Sequence, residues 1–224
     1  MTPRRRDEQV GPTTATQLAD ALRARILDGE VAPGAPLREE ELALRHGVSR
    51  HTVRTALAAL AAERIVEAAA YRGARVAALD DASLIALQQL RGALETEAVR
   101  LTTETHGSAW PDEVTMPIDA AVDDLARAEA SGDWPAITRA HALVHRTIVA
   151  AAGSPRIAEA HRLLESEILL LLAHVRPDYP PGALAHEHRA YLVDIMSSGG
   201  SAVRAHLDHS TALIRAARSS PDAD

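Results

Sequence analysis

The chain has 224 residues, 46% of them apolar but only 2% aromatic, with no cysteine and a formal net charge of −7. That length suits two ordinary domains, and a core restricted to leucine, alanine, valine and isoleucine favours packed helices over a sheet sandwich. The lack of cysteine excludes a disulfide framework and a redox thiol; no run approaches the roughly eighteen apolar residues of a membrane span, and no signal-peptide core is visible, so a cytoplasmic protein without a membrane partner is expected.

Residues 1–13 read as a polar, disordered tail in which Arg4, Arg5 and Arg6 add nonspecific attraction for phosphate or none. A first helix is predicted from Thr16 to Asp28, with Leu18, Leu22 and Ile26 as its buried stripe. A second, short helix opens on Arg38, Glu39, Glu40 and Glu41, whose acidic charges suit a helix N-terminus, turns Leu42 inward and stops at Gly47. Gly47 and Val48 leave room only for a sharp corner, and Ser49 stands at an N-cap.

A third helix follows from Arg50 to Glu63, buried along Val53, Leu57 and Leu60, with Arg50 and Arg54 one turn apart on a bordering face. A recognition helix presents such N-terminal residues to the major groove of double-stranded DNA, where a guanidinium fork matches guanine O6 and N7. Ile65 to Ala68 and Ala74 to Val76 then read as two short strands around a basic tip, Tyr71-Arg72-Gly73, able to reach phosphate or the minor groove. Charge agrees with this division: residues 1–79 hold 12 arginines against 10 acids, whereas residues 80–224 hold 12 against 21, so the second half is not the nucleic-acid surface.

The run from Leu37 to Val76, with the helix before it, resembles the winged helix-turn-helix domain of GntR-type transcription regulators. That family's recognition helix commonly begins Ser-Arg-Thr-Pro-Val-Arg-Glu-Ala-Leu, where this chain has Ser49-Arg50-His51-Thr52-Val53-Arg54-Thr55-Ala56-Leu57. The resemblance implies operator contacts from Arg38 (to phosphate), Ser49, Arg50, His51, Thr52, Arg54 and Arg72, with Gly73 letting the wing approach closely. His51 and Thr55 alter the groups facing the bases, which leaves the operator sequence open.

From Asp80 onward the pattern is helical, and its breaks at Gly107, Trp110-Pro111, Gly132-Asp133, Gly153 to Pro155, Pro177 to Gly182 and Ser197 to Gly200 delimit about six helices. Leu84, Leu87, Leu90, Leu94 and Ala98 stripe the first, while Ile168, Leu169, Leu171 and Leu172 make a later one apolar on more than one side, as a central helix of a bundle would be. The expected fold is mainly α: a tail (1–13), a winged helix-turn-helix domain (14–79), an all-helical effector and dimerisation domain (80–218) and a second tail (219–224), hinged near Leu79 to Ala82.

Nine of the eleven histidines fall in this acidic half. His141 and His145 are four apart, on one helix face as two ligands of one metal must be, and His188 and His206 lie on two later helices. Imidazole nitrogen suits zinc, nickel, copper or iron. His106, His161, His174 and His186 lack this spacing and read as surface residues.

The segments Leu90–Leu101, Ala140–Pro155, Glu187–Met196 and Val203–Leu207 are similar to the all-helical FCD effector domain of the FadR subgroup of GntR regulators. The likeness implies a homodimer and a divalent metal, zinc or nickel, held by His145, His188 and His206, with His141 where an aspartate is usual. The segment between His188 and His206 is shorter than usual, and His209, one turn on, is an alternative ligand. Arg91 matches a family arginine near the effector pocket and reads either as a clamp for a small organic acid or as an exposed partner of Glu95 at i+4. A metal-free effector pocket is the alternative regulator, and a metal-dependent hydrolase, for which no HExxH pattern exists, a remote one.

Overall fold

The structure, a computed structural model, describes residues 13–69, 73–175 and 179–219. All but Thr13 of the expected tail 1–13 and all but Ser219 of the expected tail 219–224, the tip residues Tyr71 and Arg72, and Pro177 lie outside the described residues.

The head begins with helix α1 (Thr14–Leu27), whose first turn is closed by Thr13 Oγ1 accepting from the Thr16 amide at 3.2 Å. A two-residue strand β1 (Pro36–Leu37) leads into α2 (Glu39–His46), which carries acids in its first turn and ends at Gly47 in the left-handed region (φ 64°). Ser49 caps α3 (Arg50–Ala62) by accepting from the Thr52 amide at 3.1 Å. Strands β2 (Val66–Ala69) and β3 (Gly73–Val76) pair antiparallel, one residue later and one earlier than expected, and β1 adds to β3 on its other side in the order β1-β3-β2. The alternation that marks strands is too short in Pro36–Leu37 to be read; pairing with Arg75 and Ala74 makes it a strand.

Six helices follow: α4 (Asp81–His106), α5 (Asp112–Ser131), α6 (Trp134–Ala150), α7 (Pro155–His174), α8 (Ala183–Ser198) and α9 (Gly200–Ser219). Asp80 starts α4 by accepting from the Ser83 amide at 2.8 Å. The bundle core is aliphatic, with Ile118, Leu125, Val144, Ile148, Ile195 and Val203 among its buried residues. Helix α7 explains its own all-round apolarity. Leu171 and Leu172 pack with Leu84 and Leu87 of α4, whereas Leu170 points the other way into the head core with Leu22, Ile26 and Leu60. The head is therefore attached by packing as well as by the peptide link at Asp80.

Candidate metal centre and nucleic-acid interface

On the head, Arg50 and Arg54 stand at the start of α3, 58% and 61% exposed, beside exposed Ser49 and His51. Thr52 is half-buried, its amide held by the cap, and Thr55 donates its hydroxyl to the His51 carbonyl at 3.1 Å. These arginines are not idle in the free protein. Arg50 Nη1 donates to Glu40 at 2.8 Å, Glu39 approaches both Arg50 and Arg54 at 3.8 and 4.0 Å, and Arg38, the N-cap residue of α2, pairs with Glu41 at 3.0 Å. Exposed pairs of this kind are worth at most about 1 kcal/mol and yield readily to phosphate. Gly73 opens β3 at φ 86°, a backbone angle that favours glycine, with its face exposed.

In the bundle, α6 presents His141 and His145 on one face, α8 presents His188 and α9 presents His206, and one nitrogen from each lies within 4.8 Å of all the others. His145 Nε2 is 3.2 Å from both His141 Nε2 and His188 Nε2, and His206 stacks on Tyr191 with centroids 4.2 Å apart. Burial, reinforced by the neighbouring rings, pushes His141 and His206 well below the ordinary imidazole range and His188 down to about 3. Burial also lowers His145, against the pull of Glu95. All four are neutral imidazoles at physiological pH. His209 is exposed and stands outside the cluster, so the register of α9 selects His206.

The tautomers of two rings follow from their partners. His188 Nδ1 lies 2.7 Å from the Leu184 carbonyl, which only accepts, so Nδ1 carries the proton. His145 Nδ1 lies 3.1 Å from Glu95 Oε2. Although its burial opposes ionisation, Glu95 is held well below the usual carboxylate range by Arg91 and His145, so it too accepts. Each Nε2 is therefore left with a lone pair, and the two lone pairs face each other across 3.2 Å without a proton between them. A cation bound by both nitrogens removes that repulsion. The donor set is all-nitrogen, borderline in softness and outside the preference of magnesium or calcium, and Glu95 behind His145 forms the carboxylate–histidine pair that orients metal ligands elsewhere. The residues fit a divalent transition metal.

Glu95, fully buried, is the part of the site that spacing did not reveal. Its Oε1 accepts from Arg91 Nε at 3.0 Å and from His161 Nε2 at 3.1 Å, and its Oε2 from His145 and from the Tyr191 hydroxyl at 3.4 Å. His161 is consequently a correction to the sequence reading: it is 4% exposed, a core residue of α7 rather than a surface one. His174 is half-buried, while His186 is exposed as expected. Arg91 pairs with Glu95 as the i+4 alternative required, but it is buried rather than exposed and also donates to Gln88 at 3.0 Å.

Two cavities flank the cluster. One, between α8 and α9, is lined by Glu187, Tyr191, Asp194, His206 and His209 together with Ala190, Ala202 and Ala205. The other, on the His141 side, is smaller and more apolar, with Trp134, Ile137, Thr138, Tyr179 and Ile214 around His141. No helix among the described residues is long and apolar enough to cross a membrane.

Comparison with known proteins places this geometry. Residues 14–76 match the family described as bacterial regulatory proteins, gntR family, and residues 86–212 match the FCD domain. A curated relative from Paenarthrobacter nicotinovorans, a probable D-xylose utilization operon transcriptional repressor, is 31% identical over 194 residues, which cover 87% of this chain and 83% of the relative. A solved structure of a putative GntR transcriptional regulator from Rhodococcus sp. RHA1 superposes with a TM-score of 0.75 at 26% identity, covering 90% of this chain and 97% of that one. Escherichia coli McbR/YncC shares the fold, with a TM-score of 0.70 at 20% identity over 91% of this chain and 98% of that one.

Proposed function

The chain belongs to the gntR family of bacterial regulatory proteins, with an FCD domain behind its helix-turn-helix head, and we propose that it is a repressor whose hold on operator DNA answers to a small carboxylate bound at a divalent transition metal. It is a DNA-binding transcription regulator and not an enzyme. Repression takes its support from the relative whose name says that it represses an operon for D-xylose use. The observation that carries the metal reading is the pair of facing lone pairs on His145 and His188, 3.2 Å apart in a buried site.

His141, His145, His188 and His206 would hold the metal, zinc or nickel by donor type, and Glu95 would fix the His145 ring through its Nδ1 proton. Bound there, an ion would supply a positive centre, and one that takes more than four ligands, as nickel does, would also have room for a carboxylate. Four neutral imidazoles leave its double charge intact, and Arg91 cancels Glu95 beside it, so the site favours an anion more than one built with an aspartate ligand would. Arg91 reaches an effector carboxylate only by giving up a bond to Glu95 or Gln88, which makes the open positions of the ion the seat and Arg91 its support. The small size of the cavity beside His141, walled by Trp134, Ile137 and Tyr179, favours a compact ligand over a large sugar or acyl chain.

On DNA, a homodimer places two copies of α3 in successive major grooves of a pseudo-palindrome. Arg50, Arg54 and Arg38 exchange their glutamates for base edges and phosphate, with Ser49, His51 and Thr52 at the same helix end and Arg72 and Gly73 in the wing. Effector binding changes operator affinity by a coupling energy on the order of 1–3 kcal/mol. Elemental analysis of the purified protein tests the reading: about one transition-metal ion per chain is expected, lost in the His145→Ala, His188→Ala double variant. Protein free of metal from both wild type and variant would leave a hydrogen-bonded, metal-free pocket in its place.

A further inference from the structure

Helix α7 touches both ends of the molecule. Near its start, His161 Nε2 donates to Glu95 Oε1 at 3.1 Å, and the other oxygen of that carboxylate accepts from His145 Nδ1 at 3.1 Å. One buried carboxylate thus bridges a cluster histidine of α6 and a non-ligating histidine of α7. His161 Nδ1 is buried without a hydrogen-bond partner, so Glu95 is the polar group that holds this ring. Nine residues on, about 13 Å along the helix axis, Leu170 is buried in the head core against the helices of the DNA-binding domain.

Between these points α7 also grips the exit of the recognition helix. Ser166 Oγ donates to Glu63 at 3.3 Å, and Glu167 lies 3.9 Å from Arg64 Nε. Glu63 is the C-cap residue of α3 and holds Arg23 of α1 through two bonds of 2.7 and 2.5 Å. Arg64 is the residue with positive φ (59°) among the described non-glycine residues, a conformation that a side chain adopts only where its surroundings impose it. At its far end, α7 lends the Leu172 carbonyl to Trp134 Nε1 at 2.6 Å, and both residues line the cavity beside His141.

We propose that α7 is the element through which the histidine cluster governs the recognition helix, with His161 as the positioning residue that ties α7 to Glu95. A shift of His145 within the cluster carries Glu95, Glu95 carries His161, and the rigid helix delivers the motion to Leu170, Ser166 and Glu167, and so to the C-terminal end of α3. A pliable linker between head and bundle would not do this. Leu170 is buried with the head residues, so α7 cannot move along its axis without repacking them.

This inference rests on the reading that the cluster holds a metal and that its occupancy alters DNA affinity. The experiment compares the wild type with His161→Phe, which removes the donor, His161→Gln, which keeps one, and Ser166→Ala/Glu167→Gln, which cuts the polar contacts to the head without touching the cluster. Zinc affinity is measured by titration calorimetry on the chelator-treated protein. DNA affinity is measured with and without zinc chloride on a duplex that the wild type enriches from a randomised pool. The expected result is that every variant still binds zinc, Ser166→Ala/Glu167→Gln with wild-type affinity, and that at saturating zinc the wild type changes its DNA affinity by at least about 5-fold, a change lost in His161→Phe, reduced in Ser166→Ala/Glu167→Gln, where Leu170 still packs on the head, and partly retained in His161→Gln. If the wild type binds no zinc, the metal reading falls and this inference with it. If the wild type binds zinc and responds, and His161→Phe and Ser166→Ala/Glu167→Gln respond equally, α7 is not the route and the metal reading stands.

Discussion

Glu95 and His145, fifty residues apart in sequence, meet in the interior at 3.1 Å, carboxylate oxygen to ring Nδ1, with Glu95 fully buried. The contact fixes which nitrogen of His145 faces the other three rings. Glu95→Gln keeps the shape and removes the charge, and a neutral amide no longer enforces the tautomer or the ring orientation. Zinc affinity is expected to fall about 10- to 100-fold, the usual effect of losing a carboxylate behind a histidine ligand, as read by titration calorimetry. The same variant leaves Arg91 buried without its anion, and stability to urea is expected to fall by about 3–5 kcal/mol.

The pH dependence of the metal-free protein follows from the same burial. His188 is lowered from the usual 6.5 to about 3, and His141, His145 and His206 are lowered as well. As pH falls below about 6.5 the unfolded chain takes up protons that the folded chain refuses, so stability is fully present above that value and drains away as pH falls toward each folded value, about 3 for His188, by about 1.4 kcal/mol per pH unit while a ring stays neutral in the folded chain alone. Glu95 acts lower on the scale. Its folded value is depressed, so its contribution is present above the ordinary carboxylate range and is lost as pH falls through the depressed value. Urea midpoints taken in chelator between pH 8 and 4 are expected to fall steeply and monotonically below neutrality; a flat profile over that range would contradict neutral, buried rings.

How much of this was legible depended on sequence distance. The helix-turn-helix is made of contacts a few residues apart, the Ser49 cap on Thr52 and the left-handed Gly47, so its letters announce it. The histidine pair of α6 was legible for the same reason, as a spacing of four on one face. Glu95 and His161 were not, because their partners lie 50 and 66 residues away and a glutamate on a helix ordinarily faces water. Arg91 was half legible: local spacing gave its partner, while burial came from packing. The four consecutive leucines of α7 signalled a helix buried on several sides, but not that Leu170 belongs to the other domain.

Operator contact should weaken when either recognition arginine is shortened. Arg50→Ala or Arg54→Ala removes a guanidinium from the exposed start of α3, and a lost base contact costs about 1–3 kcal/mol, or roughly 5- to 150-fold in affinity for the selected duplex. Glu40→Gln frees Arg50 from its 2.8 Å partner and is expected to raise affinity for unrelated DNA. Fluorescence anisotropy across a salt series checks both; an Arg50→Ala protein with wild-type affinity and salt slope would remove α3 from the interface.

The placement of His206 depends on a glycine. Helix α8 ends at Ser198 and α9 starts at Gly200, leaving Gly199 alone at the corner with φ 57°. A methyl group added at Gly200 would lie 2.4 Å from Thr96 Cγ2 on α4, closer than packed carbons approach, so α9 must move or Thr96 must rotate. Because α9 carries His206 as well as Val203 and Leu207 of the bundle core, a shift at its first residue is felt at the cluster one and a half turns on. Gly200→Ala is expected to lower thermal stability and zinc affinity together, by about 1–3 kcal/mol in stability for an overpacked contact. Thr96→Ser removes the clashing methyl and leaves the remaining atoms at 3.4 Å, so the double variant Gly200→Ala/Thr96→Ser is expected to recover both. Recovery of stability without recovery of zinc affinity would mean that the corner, not the contact with α4, sets the position of His206.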